Sequence, residues 1–242
     1  MRYIFISPHL DDVTLSVGGI VNSLVINKID TEIWTFFSGS PDDENLSDFA
    51  SSLHKRWKLP WNAPKIRRLE DIKASKTLGA RYKHFGLPDC IYRKDLDGNP
   101  IVREEDDLYQ PIPSSQQFLV NKISDEINRE VTTDDIIVSP MAIGNHIDHR
   151  IIVAAIKHLS LFSLLFYEDY PYVVKSNSSA MDNSKLTPIK FDLQEENIKT
   201  WHAAIAAYQS QISTFWKNTN RMKEEIIEFA NRGGGKNLWK FS

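Results

Sequence analysis

The sequence predicts an α/β fold, a Rossmann-like three-layer sandwich with a mostly parallel sheet and helices on both faces. Three observations predict it. Short runs rich in β-branched and aromatic residues alternate with stretches of helical spacing, the pattern of βαβ crossovers. Two of the strand-like runs, Ile4-Phe5-Ile6 and Ile136-Ile137-Val138, are continuously apolar, as strands buried on both faces are. No internal repeat, low-complexity tract or linker interrupts the 242 residues, so one domain over 1–242 is expected.

Residues 3–7 form the first expected strand, ending at Pro8, and the Gly18-Gly19 pair then opens a helical stretch to about residue 28. A second strand, 31–38, is bounded by Gly39, Pro41 and acidic residues. From 40 to 64 the periodicity dissolves into polar residues with Trp57, Pro60, Trp61 and Pro64, an irregular excursion with room for one short helix. A loop that long in a compact domain is commonly functional. Residues 67–80 have helical spacing, with Leu69, Ile72, Ala74 and Leu78 on one broad face and Gly79 near the end. A short strand, 82–85, leads into a second irregular segment, 86–113. There follow a helix at 116–129, a strand rich in isoleucine and valine at 135–139, a helix at 148–159, a strand at 164–167, and helices at 195–216 and 221–230.

Composition narrows the function classes. With 41% apolar and 25% charged residues the chain reads as a soluble globular protein. Its one cysteine, Cys90, excludes an internal disulfide and a multi-cysteine zinc site. The net charge of −3, from 29 basic and 32 acidic residues, gives no reason to expect nucleic acid as a partner. Apolar runs such as 163–167 fall far short of the ~20 residues of a membrane span. The apolar stretch after Met1-Arg2 is too brief for a signal peptide, so the chain is expected to begin directly on a strand, in the cytoplasm.

Ligands of α/β sheets bind beyond the carboxyl ends of the strands. Pro8-His9-Leu10-Asp11-Asp12 follows the first strand, and Gly144-Asn145-His146-Ile147-Asp148-His149 follows the fourth. Together they bring three imidazoles and three carboxylates to that edge. A catalytic zinc takes three nitrogen or oxygen ligands and keeps one position open. His9 and Asp12, three apart on a tight turn, can face one point, and a histidine from the later segment completes the set. Asp11 then stands free to act as a base on water. Each motif also has a plain structural reading: paired aspartates after a strand cap helices, and His146, Asp148 and His149 can be surface groups at a helix start.

These residues carry a resemblance. Pro8-His9-Leu10-Asp11-Asp12 with Gly18-Gly19, and His146-Ile147-Asp148-His149 far downstream, resemble the PIG-L or LmbE-like family of zinc-dependent N-acetylglucosamine de-N-acetylases. Arg67-x-x-Glu70-x-x-x-Ala74-x-x-x-Leu78-Gly79, Leu87-Pro88-Asp89, the stretch Tyr167-Glu168-Asp169-Tyr170-Pro171-Tyr172 and Ala204-x-x-x-Tyr208-x-Ser210-Gln211 extend the likeness to a bacterial branch over roughly residues 1–216. The resemblance implies His9, Asp12 and His149 as zinc ligands, with ferrous iron able to occupy the same set. It also implies Asp11 as general base, His146 as oxyanion or amine partner, and Asp148 as the residue orienting a neighbouring imidazole. The implied reaction is hydrolysis of an N-acetyl or N-acyl group on an amino sugar or glycoconjugate. Val13 departs from the acidic residue usual after the paired aspartates, and Leu10 from the common proline.

Arg67 is an expected sugar or phosphate contact through the resemblance, while Glu70 is read as half of an ion pair. Asp89 is either turn chemistry or a partner for substrate hydroxyls. Tyr167 and Glu168, with Asp169, end the fifth strand and are expected to line a pocket. Trp57, Trp61, Tyr92 and Tyr172 can stack on sugars or form local mini-cores, and Tyr208, Ser210 and Gln211 are assigned to packing. Two rival functions stand beside deacetylation: a metal-dependent phosphohydrolase, which histidine ligands disfavour because magnesium prefers oxygen, and a catalytically silent carbohydrate-binding protein. A homo-oligomer is compatible with the sequence, which does not name the sugar or its carrier.

Overall fold

The computed structural model describes residues 1–41, 44–159, 163–175 and 185–242. Asp42 and Asp43, within the first irregular segment, lie outside the described residues. Seven strands form one sheet in the order β3-β2-β1-β4-β5-β7-β6. They are β1 (Arg2–Ser7), β2 (Asp30–Thr35), β3 (Arg81–His84), β4 (Ile136–Pro140), β5 (Ser163–Tyr167), β6 (Leu186–Lys190) and β7 (Asn237–Phe241). The first five run parallel, while β7 and β6 close one edge antiparallel.

Strand periodicity splits the core into two layers. Ile4, Ile6, Trp34 and Ile137 point to one face of the sheet, Phe5, Ile33 and Val138 to the other. On the second face α1 (Asp12–Ile26), α3 (Ala63–Leu78) and α7 (Glu195–Ile205) pack on one another. The first face is covered by α2 (Asp48–Trp57), α4 (Phe118–Glu130) and α5 (Ile147–Ile156). A smaller cluster joins Leu15 and Trp201 to α8 (Gln209–Phe215) and α9 (Thr219–Asn231), with a short α6 (Tyr172–Lys175) nearby. Among the described residues no helix is long and apolar enough to cross a membrane.

β1 lies between β2 and β4, so crossovers leave it in opposite directions. The crevice beyond the carboxyl ends of β1 and β4 is therefore a topological switch point, where α/β sheets place their ligands.

Several expected boundaries move. α1 starts at Asp12, six residues before Gly18-Gly19, and the glycines serve a close helix–helix approach instead. A Cβ on Gly18 would stand 2.6 Å from Trp201 Cδ1 of α7, and one on Gly19 2.7 Å from Leu193 Cδ1. The first irregular segment holds α2, capped where Ser47 Oγ accepts the Ala50 N–H. α3 begins four residues earlier than its spacing suggests and buries Arg67, Asp71, Ala74, Ser75 and Leu78, leaving Leu69 62% exposed. Its inward face is polar because it borders the crevice. The long helix expected at 195–216 breaks at Tyr208 (φ −82, ψ 63), whose hydroxyl is drawn inward to Asp71 Oδ1 at 2.6 Å. β6 and β7 were not expected: β7 pairs with β5 and β6, and β6 is a lysine-bearing edge strand that Pro188 helps to mask.

Candidate metal-binding and catalytic site

The turn after β1 is built around its own polar groups. Ser7 Oγ donates to His9 O at 2.7 Å and accepts the Val13 N–H, while Asp12 Oδ2 accepts the His9 N–H at 2.7 Å. Asp11 takes φ 148°, a conformation costly for a side-chain-bearing residue, which places it between Asp12 and Arg67. Val13 is fully buried in the apolar layer with Phe5 and Val138, so its departure from the family pattern falls on the core side of α1.

The turn after β4 carries the second group. His146 caps α5, its Nδ1 accepting the Asp148 N–H at 3.3 Å. Its proton then belongs on Nε2, and burial together with neighbouring His9 and His149 keeps this imidazole neutral, well below its ordinary pKa. Asp148 is completely buried: Oδ1 meets the Arg93 guanidinium and Oδ2 accepts the Cys90 N–H at 3.0 Å. Burial opposes its charge, but Arg93 and His9 hold its carboxyl well below the usual range.

Two imidazoles converge on one oxygen. His9 Nδ1 lies 3.2 Å and His149 Nε2 3.3 Å from Asp12 Oδ2. The far nitrogens face other carboxylates, His9 Nε2 at 3.1 Å from Asp148 Oδ2 and His149 Nδ1 at 2.6 Å from Asp169 Oδ1. An ionised carboxylate only accepts, so each far nitrogen carries the proton and each near nitrogen offers a lone pair. Three lone-pair donors facing each other repel unless a cation or extra protons sit among them. Among the described residues His149 Nε2, though 3.3 Å from Asp12 Oδ2, is buried without a well-aligned hydrogen-bond partner. The extra protons appear as raised pKa values: burial opposes them, yet Asp89, Asp12 and Asp148 hold His9 well above its ordinary value, and Asp12 and Asp169 push His149 up to about 9. His9, His146 and His149 also offer nitrogens within 4.8 Å of one another. This donor set suits a divalent metal.

Around it the other residues fall into place or out of it. Burial, partly offset by Arg67, pushes Asp11 up to about 7. Arg67 Nη2 donates to Leu10 O at 3.2 Å and lies 3.4 Å from Asp11 Oδ2, its guanidinium 4.9 Å over the Trp57 ring and its Nε without a partner. Asp89 has the turn chemistry expected of it, its Oδ1 accepting the Ile91 N–H, while its Oδ2 stands 3.8 Å from His9 Nε2 at the edge of the site. A cleft of about 480 Å³ opens over His9, Asp11, Asp12, Arg67, Asp89 and His146.

Tyr167 and Glu168 do not line that cleft. Tyr167 is fully buried in the sheet layer, donating to Ile6 O at 2.9 Å, and Glu168 turns to Trp239 on β7. The strand-end residue that reaches the site is Asp169. Trp57 and Tyr172 line the cleft, whereas Tyr92 bonds His54 at 2.7 Å in a mini-core and Trp61 is half exposed outside it. Gln211, assigned to packing, borders the cleft, and Glu70 caps α8 through Ser210 rather than pairing with a cation. Arg93, inside the second irregular segment, drew no expectation from the sequence. A buried arginine inside an irregular segment is a signal for a buried carboxylate partner.

The chain is similar to known proteins over most of its length. The 2′-N-acetylparomamine deacetylase of Niallia circulans is 28% identical over 87% of this chain and 80% of its own length. The zinc-inhibited form of teicoplanin deacetylase Orf2 superposes with a TM-score of 0.85 at 26% identity, covering 99% of this chain and 97% of that one. The A40926 pseudoaglycone deacetylase Dbv21 gives 0.73 at 29% identity over 99% and 96%. Residues 4–160 match the family described as PIG-L: GlcNAc-PI de-N-acetylase. With the motif residues of β1 and β4 gathered at one switch point, the chain belongs to the PIG-L family.

Proposed function

We propose that this protein is a metal-dependent hydrolase that removes an N-acetyl group from an amino sugar or glycoconjugate. His9, Asp12 and His149 would hold the ion, zinc on this reading, with ferrous iron an alternative for the same ligands. The observation that carries the proposal is the meeting of His9 Nδ1 and His149 Nε2 at Asp12 Oδ2. The two apolar layers share one sheet, so we read residues 1–242 as one catalytic domain.

When bound, the ion supplies polarisation of the amide carbonyl and a lowered pKa for water. Asp11 takes the proton that attack on the carbonyl releases, a task suited to a carboxyl held near neutral pH. His146, neutral with its proton on Nε2, donates to the developing oxyanion. Asp148 and Asp169 fix the tautomers of His9 and His149. Arg67, whose side chain lines the cleft, offers guanidinium donors to sugar oxygens, and Asp89 offers an acceptor. The C–N bond breaks, giving acetate and a free amine that leaves with Asp11's proton or one from His146.

Metal analysis combined with acetate release from a panel of N-acetylated sugars tests the proposal. Stoichiometric zinc with acetate release is the expected result. Bound zinc with no acetate from a broad panel would favour a silent binding protein. Phosphate release with magnesium, and none with zinc, would favour a phosphohydrolase.

A further inference from the structure

The turn that carries Asp11 and Asp12 is not secured by the helix it opens. Inside α1 the backbone leaves helical conformation at Val17 (φ −142°, ψ 24°), so residues 12–16 form a turn of their own, set apart from the remainder of α1. Asp11, just before it, is held at φ 148°, a conformation that persists only where the surroundings impose it. Its own backbone ties are local: the Asp11 N–H donates to His9 O at 3.0 Å, and the Leu15 N–H donates to Asp11 O at 2.8 Å. Farther along, Ser16 Oγ accepts the Tyr170 N–H. The first turn depends on elements from elsewhere in the chain.

Those elements meet it at Thr14. Trp201 Nε1 of α7 donates to Thr14 O at 2.6 Å, and Thr14 Oγ1 lies 3.1 Å from the Tyr208 hydroxyl. Tyr208 Oη is in turn 2.6 Å from Asp71 Oδ1. A carboxylate only accepts, so Tyr208 gives its one proton to Asp71 and its oxygen receives the Thr14 hydroxyl proton. Asp71 is itself fixed by His84 at the end of β3, whose Nε2 stands 2.7 Å from Oδ2. Thr14, Asp71 and Tyr208 are each about 1% exposed, so no water stands ready to replace a lost partner. None of the three lines the cleft. One helical turn before Asp71, Arg67 Nη2 donates to Leu10 O on the other side of Asp11. One face of α3 thus holds the strained residue from both sides, at Leu10 through Arg67 and at Thr14 through Tyr208.

Resting on the reading of Asp11 as the base of a deacetylase, we infer that Tyr208 and Asp71 are positioning residues that hold Asp11 in its strained backbone conformation through Thr14. Asp12 has a separate anchor, since its Oδ2 accepts the His9 N–H at 2.7 Å. Loss of the Thr14–Tyr208 contact therefore leaves the metal ligands and the cleft walls in place and lets the Asp11 carboxylate drift. Misplacement of a reacting group slows the chemical step without weakening substrate binding.

Two variants cut the contact at either end: Tyr208→Phe removes a hydroxyl and keeps the ring, and Thr14→Val removes the other hydroxyl at nearly constant shape. In the metal-free protein, amide hydrogen exchange of Leu15 is expected to quicken about tenfold in each, while Val21 and Leu24, beyond Val17, keep wild-type rates. In the zinc-loaded protein each should lower kcat for acetate release from an N-acetyl sugar about 10- to 100-fold, with KM within about twofold. Thr14→Ser, which keeps the hydroxyl, should recover both. The double variant should lose no more than the larger single loss, as two ends of one contact do. Unchanged Leu15 exchange overturns the inference, as does equal acceleration along the whole of α1. So does wild-type kcat in a variant whose Leu15 amide is released, or losses that add in the double variant. A wild-type protein that releases no acetate overturns the deacetylase reading instead, and the exchange pattern alone then decides whether this contact holds the turn.

Discussion

His149 Nδ1 and Asp169 Oδ1 stand 2.6 Å apart with both side chains about 1% exposed, and that contact decides which nitrogen of His149 turns to Asp12. Asp169 is itself fixed, since its Oδ2 accepts the Ile143 N–H at 3.0 Å from the turn that leads to α5. Carboxylates in this position orient an imidazole and raise its basicity towards a metal. Asp169→Ala is therefore expected to weaken zinc binding about 10- to 100-fold, with Asp169→Asn losing less because its carbonyl still accepts the Nδ1 proton. Competition with a chromophoric chelator measures both. Unchanged affinity in Asp169→Ala would detach this residue from the site.

Metal loading must also compete with protons. In the metal-free protein His149 titrates at about 9 and His9 well above its ordinary value, so at neutral pH both hold protons that an ion has to displace. Zinc affinity is expected to rise with pH up to about 9 and then level off, with proton release visible as a dependence of binding heat on buffer ionisation enthalpy. Stability of the metal-free protein runs the other way. Groups whose pKa is raised by folding stabilise fully below their unfolded values, about 6.5 for histidine, and lose that contribution as pH rises through the folded value. The metal-free protein should thus melt at lower temperature at pH 9 than at pH 6.5. A pH-independent affinity between 6 and 9 would contradict the account.

Asp11 and His146 are predicted to matter for turnover far more than for metal retention. Asp11 touches Arg67 rather than the two imidazoles, so Asp11→Ala should keep its zinc and lose more than about 1000-fold in kcat. His146→Ala removes one neutral donor and should cost about 100- to 1000-fold. Metal content measured beside steady-state rates separates the two effects. Near wild-type turnover in zinc-loaded Asp11→Ala would remove it as the base.

What could be read from the chain followed the backbone, and what could not depended on docking between distant elements. His9, Asp12, His146 and His149 were visible because strand ends at a switch point gather whatever polar residues follow them. Tyr167 and Asp169 show the limit. The last pair of the β4–β5 ladder is Pro140 with Tyr167, so Tyr167 still obeys the sheet and faces the core, and only two residues later is the chain free to turn towards α5. Polar character at a strand end did not reveal where the ladder stops. Leu69 failed for a related reason: apolar spacing alone placed it inward, but α3 borders the crevice and turns Arg67 and Asp71 inward instead. The outer cleft walls on α2 and α8 come from segments that meet only in the folded chain.

Arg93 gives the sharpest stability test. Its guanidinium, also 4.9 Å over the Phe37 ring, is the cation that compensates the fully buried Asp148. His9 and the Cys90 N–H share Asp148 Oδ2, whereas Arg93 alone meets Oδ1. Arg93→Met leaves an ionised group in the interior without its partner, a change that typically costs about 3–5 kcal/mol. Arg93→Met with Asp148→Leu removes both charges and should recover much of that loss, because a buried pair is stabilising only relative to its own broken half. Urea unfolding of the metal-free proteins at pH 8 measures the difference. A single substitution costing under about 1 kcal/mol, or a double variant no more stable than the single, would show that Asp148 is compensated elsewhere.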